Sequence, residues 1–360
     1  MPSFTFIDLF AGIGGIRIAF EAAGGECVFS AEYDKFAQDT YDAFFKERPD
    51  FVEVQITDPP GNIKQLPPSL VPDHDILTAG FPCQPFSLAG VSKKNSLGRV
   101  HGILDRTQGT LFEDIAKILD AKKPKAFLLE NVKHLRNHNK GDTYDVIRGV
   151  LEAQKYEVFD RVIDAAGWVP QHRERIYLVG FRKPEAGVPQ DWDIQSFNEL
   201  DQIRKRGKKH LALSAILETQ VPDNYILGDG TWHTLERHKE YHAGKNHGFG
   251  FGLNEADSKK PSRTLSARYH KDGAEILIKR DDPDNPNPRR LTPFECAKLM
   301  GYPKKYLKYF NRNSRFKQPV SDTQAYRQFG NSVVVPLVTQ IARTMIKKMQ
   351  EVGALREPEI

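Results

Sequence analysis

The sequence predicts an α/β protein: a doubly wound, mostly parallel sheet with a smaller, loop-rich second domain. Three observations predict it. Short apolar runs recur through the first half, helical patterns separate them, and the texture changes after Arg182. Continuous apolar runs bounded by turns suit strands covered on both faces. Their β-α-β alternation suits a parallel sheet. The 360 residues suggest about two domains at roughly 150 residues each.

Taken in order, FTFIDLF (4–10), CVFSAE (27–32), DILTAG (75–80), AFLLEN (126–131), YEVFDRV (156–162) and IYLVGF (176–181) read as strands. Between them, 15–23, 34–46, 110–121 and 142–154 read as helices. Residues 183–320 are rich in Pro, Gly, Asn and basic residues, with few long helical patterns. RKRGKKH (204–210) is a basic run, and KNHGFGFGLN (245–254) is a Gly-aromatic loop. SRTLSARY and AEILIKR read as two strands around a turn at 271–273. Residues 279–317 hold eleven Lys/Arg against four Asp/Glu. From about Thr323 the helical pattern returns through VVVPLVTQIARTMIKKM, a helix able to pack back on the first sheet. The expected catalytic domain is therefore 1–185, completed by 321–350, with a second domain at 186–320.

Composition narrows the function classes. Hydrophobic residues make 39% and charged residues 28%, a globular balance. No apolar run approaches the ~18–20 residues of a membrane helix. The start, MPSFTFIDLF, lacks a basic n-region and does not read as a signal peptide. Three cysteines, Cys27, Cys83 and Cys296, argue against a disulfide framework and for a reducing compartment. Without a CxxC pair or HExxH, no metal site is expected. The net charge of +5 permits an anionic partner.

Four segments carry chemistry. Gly12, Gly14 and Gly15 form a turn between a strand and a helix, where glycine allows close backbone approach to a ligand. Glu32 ends the next strand and suits ribose hydroxyls; Tyr33 beside it suits an adenine face. A tight turn without a ligand fits the loop equally well. GFPCQPFS places Cys83 at the carboxyl end of a strand, where open α/β sheets bind ligands. Cys83 reads either as a buried small hydrophobe or as a nucleophile. The polar segment 88–107 after it reads as a surface loop or a closing lid. Glu130 and Asn131 end another strand, as an acid or a polar terminus. Gln171, Arg173 and Arg175 alternate, which on a strand puts them on one face. They could hold an anionic or carbonyl-bearing substrate or form a solvated surface.

Together and in this order, DLFAGIGG (8–15), GFPCQPFS (80–87), ENV (130–132), QHRER (171–175), RRLTPFECAKLMGYP (289–303) and QAYRQFGNSVVVP (324–336) resemble the cytosine-C5 DNA methyltransferases. FSLAGVSKKN, GFGFG and RTLSARYHKDGAEILI look closest to the Dcm-type subgroup. That subgroup has a longer N-terminal extension, and a longer segment before QHRER.

The resemblance implies a Rossmann-like, S-adenosylmethionine-dependent methyltransferase fold and a covalent mechanism. The Cys83 thiolate attacks C6 of a cytosine flipped from the duplex. Glu130 acts at N3, Arg175 contacts O2, and Arg173, Gln171, Gln84 and Asn131 support the site. Neither the family nor this sequence offers an evident base for the C5 proton. The implied cofactor contacts are Phe10, Gly12, Gly14, Glu32, Tyr33, Asn62, Ile63, Pro82, Leu111, Asn331 and Ser332. At Asn62 the family usually carries an acid. The second domain would read DNA, with Gln171, Arg268, Lys271 and Ser87 as the expected contacts. The implied partner is double-stranded DNA at a CCWGG-like site, or a CCNGG or CCGG relative. The resemblance further implies a monomer without metal, prokaryotic or phage in type and nucleoid-associated in the cytoplasm. A restriction endonuclease would be its functional partner. An RNA cytosine methyltransferase and a catalytically silent DNA binder are the competing readings.

Overall fold

A computed structural model describes residues 2–50, 61–82, 110–183, 211–243 and 250–355. Cys83, Gln84, Ser87, the 88–107 segment and the basic run 204–210 lie outside the described residues, as do the first residues of GFGFG.

By contact the chain forms two units, 1–163 with 174–203 and 338–360, and 164–173 with 204–337. Residues 164–173 and 321–337 thus group with the second unit, not with the first as the expected limits at 185 and 320 put them. The cause is local: the carbonyls and side chains of 164–173 bond to residues 262–265 and 330–332.

The first unit is built on a six-stranded sheet. Its strands are β1 (Phe4–Leu9), β2 (Gly25–Ala31), β3 (Ile76–Gly80), β4 (Ala126–Val132), β5 (Tyr156–Asp164) and β6 (Glu174–Arg182), in the order β2-β1-β3-β4-β6-β5. Each expected strand is present. β1 pairs in parallel with β2 and β3, and β3 with β4; β6 runs antiparallel to β4. The chain reverses its winding between β1 and β3, and that switch point is where open α/β sheets form a ligand crevice.

Helices α1 (Gly15–Glu21), α2 (Lys35–Phe45), α3 (Leu111–Lys122) and α4 (Asp142–Ala153) follow the expected segments. Asp34 caps α2 and Thr110 caps α3, each accepting a backbone N–H three residues on. One core joins Leu77, Leu129, Ile115, Leu119, Ile147 and Leu151, all fully buried. Phe6 and Phe20 meet at 5.3 Å, joining β1 to α1. No helix among the described residues is long and apolar enough to cross a membrane.

The second unit holds α5 (Asp229–Ala243), a small sheet, and helices α6 (Pro293–Leu299), α7 (Lys304–Leu307) and α8 (Asp322–Asn331). The small sheet is β7 (Leu253–Asn254), β8 (Leu277–Ile278) and β9 (Arg289–Arg290). Helix α9 (Val335–Glu351) starts in this unit and ends in the first, where Arg343 donates to the Ala22 carbonyl.

Two expectations fail here. Helix α5 was not expected; among its well-buried residues only Leu235 is large and apolar, so no apolar stripe marks it. SRTLSARY is not a strand, and AEILIKR contributes only two strand residues. Side chains take the place of ladder bonds: Tyr269 Oη donates to the Ile276 carbonyl and accepts from Leu291 N. Gln171 Oε1 accepts from Leu265 N.

The segment RRLTPFEC is a framework. Arg289 grips the fully buried Glu295 with two bonds of 2.8 and 2.9 Å. Glu295 and Thr292 cap α6 reciprocally, with Pro293 in the first turn.

Candidate active site

The carboxyl edge of the main sheet gathers most of the expected residues of the first unit. After β1 the chain turns through Phe10, at φ +57°, and Gly12, at φ +56°. Phe10 is held left-handed despite its side chain, an unfavourable conformation of the kind found at functional sites. Gly12 N donates to Glu32 Oε2 at 2.8 Å. The other oxygen of Glu32 accepts from Tyr33 N and Asp34 N. Burial pushes the Glu32 carboxyl up, against these three donors. Gly61, at φ +84°, packs on the Glu32 carbonyl, where an added Cβ would stand 2.1 Å away. Asn62 is thereby placed beside Glu32 and Tyr33. Its oxygen accepts from Lys64 N.

These groups fit a nucleoside-bearing cofactor. Tyr33 is 61% exposed, a free aromatic face next to an anchored carboxylate. Gly12 has only the Phe10 carbonyl within 4.0 Å of a Cβ position. Leu111 is half-buried against the core, and Pro82 is exposed at the exit of β3.

Two expected contacts prove to be packing positions instead. At Gly14, φ +76°, a Cβ would stand 2.4 Å from the Phe45 ring, and its N–H is spent on the Ala11 carbonyl. Ile63 is buried in the core.

Parallel pairing sets Gly80 opposite Glu130. Because β6 is antiparallel, its first residues reach the edge where β4 ends, with Arg175 opposite Val132. Arg175 Nε lies 3.2 Å from Glu130 Oε1, and both side chains are largely buried. Asn131 donates to the Phe81 carbonyl at 2.8 Å and accepts from Val132 N. It therefore fixes the strand exit two residues before Cys83.

Arg173 and Gln171 do not share Arg175's setting. Only Arg175 lies on a strand, so the alternation does not hold across the motif. Arg173 is 2% exposed, and its guanidinium donates to the carbonyls of Leu265, Gly330 and Ser332. Gln171 is fully buried between Leu265 N and the Met300 sulfur. Its expected DNA contact is corrected: no part of it faces solvent. Both are positioning residues of the second unit. His172, given no role, is half-exposed and paired with Asp164 at 2.6 Å. In the same unit Asn331 is exposed, and Ser332 Oγ bonds Tyr302 Oη at 2.7 Å. Arg268 and Lys271 are exposed.

Sequence reasoning overlooked Asp8. It is fully buried, accepting from Thr78 Oγ1 at 3.1 Å and Arg17 N at 3.2 Å. Burial pushes its carboxyl up to about 7. The signal was present: an acid inside an apolar strand needs partners.

Comparison with known proteins agrees with the architecture. Residues 4–347 match the family described as C-5 cytosine-specific DNA methylase. The DNA-cytosine methyltransferase of Escherichia coli K12 is 43% identical over 99% of this chain and 80% of its own length. The type II methyltransferase M.NlaX of Neisseria lactamica is 45% identical over 95% of this chain and 96% of its own. Among solved structures, the S. pombe Dnmt2 methyltransferase superposes with a TM-score of 0.69 over 97% of this chain and 99% of that one. At 17% identity that likeness shows the fold. C5 DNA methyltransferases use S-adenosylmethionine. An acid–arginine pair at the edge of a doubly wound sheet, and a family match along nearly the whole chain, place this protein among the C-5 cytosine-specific DNA methylases.

Proposed function

We propose that the chain methylates C5 of a cytosine flipped out of duplex DNA, through a transient bond from Cys83 to C6. The observation that supports this reading is the Glu130–Arg175 pair. It stands at the edge where Asn131 holds the strand exit leading to Cys83.

Cytosine C5 is a poor nucleophile. Addition of the Cys83 thiolate to C6 breaks the C5–C6 double bond and gives C5 enamine character. Glu130 holds a proton against N3, where charge develops. Arg175 donates to O2 and favours the same redistribution. S-adenosylmethionine, when bound, supplies an electrophilic methyl group to C5. Loss of the C5 proton and β-elimination then restore the aromatic ring and release Cys83 as thiolate. Phe10, Gly12, Glu32, Tyr33, Asn62, Pro82, Leu111, Asn331 and Ser332 would hold the cofactor. Glu32 would take the ribose hydroxyls and Tyr33 the adenine face.

The second unit would bind duplex DNA, with Arg268 and Lys271 among its contacts. Similarity to the E. coli and Neisseria enzymes supports a site of the CCWGG, CCNGG or CCGG kind, methylated at the internal cytosine. The chain would act as a monomer, with a restriction endonuclease of the same specificity as its functional counterpart.

Incubating the purified protein with unmethylated plasmid and S-adenosylmethionine, then sequencing after bisulfite conversion, tests the reading. Protected cytosines within one recurring short motif are expected. Uniform conversion of every cytosine, with cofactor binding confirmed, would overturn it.

A further inference from the structure

The second unit carries a pocket of about 350 Å³ lined by Gly250, Arg263, Arg268, Lys271, Asp272 and Glu275, with Ala274. We propose that this pocket reads one G·C base pair in the major groove. Arg268 takes the guanine, Asp272 takes the cytosine amine, and Ser266 with Glu275 position Arg268. The inference rests on the DNA-methylating function proposed above and names the reading element of that function.

The charge pattern selects a base edge over a phosphate. A phosphate presents acceptors only, and the Asp272 and Glu275 carboxylates would oppose it. A G·C pair presents the N7 and O6 acceptors of guanine beside the N4 donor of cytosine. The pocket offers the complement: guanidinium and ammonium donors next to carboxylate acceptors.

The hydrogen bonds assign the parts. Arg263 Nη1 donates to the Gly250 carbonyl, so this arginine builds the wall. The Arg268 guanidinium is exposed and has no partner among the described residues. Asp272 uses one oxygen on Ala274 N at 3.1 Å, which leaves the other for a donor.

Behind Arg268 runs a short chain. Glu275 Oε1 accepts from Ser266 Oγ, and that hydroxyl accepts from Arg268 N at 3.1 Å. At Gly330 a Cβ would stand 2.3 Å from Ala267 N, so the loop rests directly on α8. Arg173 holds the Leu265 carbonyl of the same loop at 2.8 Å. The backbone that presents Arg268 is thus fixed before any ligand arrives, as a base reader requires.

The test uses the full chain and duplexes of the CCWGG, CCNGG and CCGG kinds. Each guanine is replaced in turn by 7-deazaguanine, which removes N7 and keeps base pairing. Binding is read by fluorescence anisotropy and methyl transfer in parallel. For the unsubstituted protein, one position should weaken binding roughly tenfold or more. Arg268→Ala should be indifferent to that position and keep its affinity for unrelated duplexes. Asp272→Ala should relax the choice of base pair there, and Ser266→Ala should weaken the discrimination partially. Two results would overturn the pocket's role. One is an Arg268→Ala protein with the same deaza pattern as the parent. The other is a uniform loss on all duplexes, with the salt slope reduced by about one, the mark of a phosphate contact. Absence of methyl transfer by the parent protein, with the binding pattern intact, would count against the proposed activity and not against the pocket.

Discussion

Arg173 and Arg175 stand two residues apart in one motif and serve different regions. Arg175 enters a strand of the first unit and meets a carboxylate at the sheet edge. Arg173 belongs to the second unit and satisfies three backbone carbonyls. The contrast extends to each region. In the first unit, strand ends position chemistry, because pairing registers place Gly80, Glu130 and Arg175 at one edge. In the second, irregular loops present the ligand-facing groups, and buried side chains do the work of a ladder. Where sheets set the geometry, a single register error would misplace everything. Where side chains set it, each loop depends on a few named contacts.

The largest effect should come from the strand-edge region. Cys83→Ser is expected to lower methyl transfer by on the order of a thousandfold or more while duplex binding persists. Near-normal turnover in a radiolabelled methyl assay would refute covalent catalysis. Glu130→Gln comes next, with transfer slowed about 10²- to 10⁴-fold and the thermal midpoint little changed. Arg173→Ala should reverse that pattern. Three buried carbonyls lose their donor, at roughly 3 kcal/mol or more in total. Calorimetry should show a clear drop in midpoint; an unaltered midpoint would erase the distinction between the two arginines. Arg173→Lys should recover little, since an ammonium lacks the planar fork.

Asp8 should give the smallest signal. With its carboxyl pushed up to about 7 from 3.8, the folded chain holds a proton that the unfolded chain releases between those values. Stability should therefore fall as pH rises through that window, by at most about 1.4 kcal/mol per pH unit from this group. Asp8→Asn should flatten that part of the stability–pH curve. A profile identical to the parent's would show that Asp8 stays ionised in the fold.

The main sheet was legible because its signal is local. Buried strands are apolar throughout, and each expected run from Phe4 to Arg182 became a strand. The placement of Glu130 and Arg175 at one edge followed from strand ends. The antiparallel course of β6 did not, since direction depends on pairing and not on composition. The roles of Gln171 and Arg173 were misread for a related reason. Alternation reports facing only inside a strand, and β6 begins at Glu174. In the second unit, SARY resembles a strand by composition, yet Gln171, Arg173 and Tyr269 claim its backbone groups from far along the chain. Such long-range bonds leave no periodic trace. Helix α5 was invisible because a polar helix has no stripe.

Gly330 carries a consequence of its own. It brings the 266–267 backbone directly against α8, while Arg263, Arg268 and Lys271 point away from that support into solvent. Residues that face DNA are therefore not the ones that hold their own loop. Such a layout lets a lineage swap its target sequence at little cost to stability, as a typeface can be changed without rebuilding the press. New specificities become reachable through single surface substitutions, each passing through a folded intermediate.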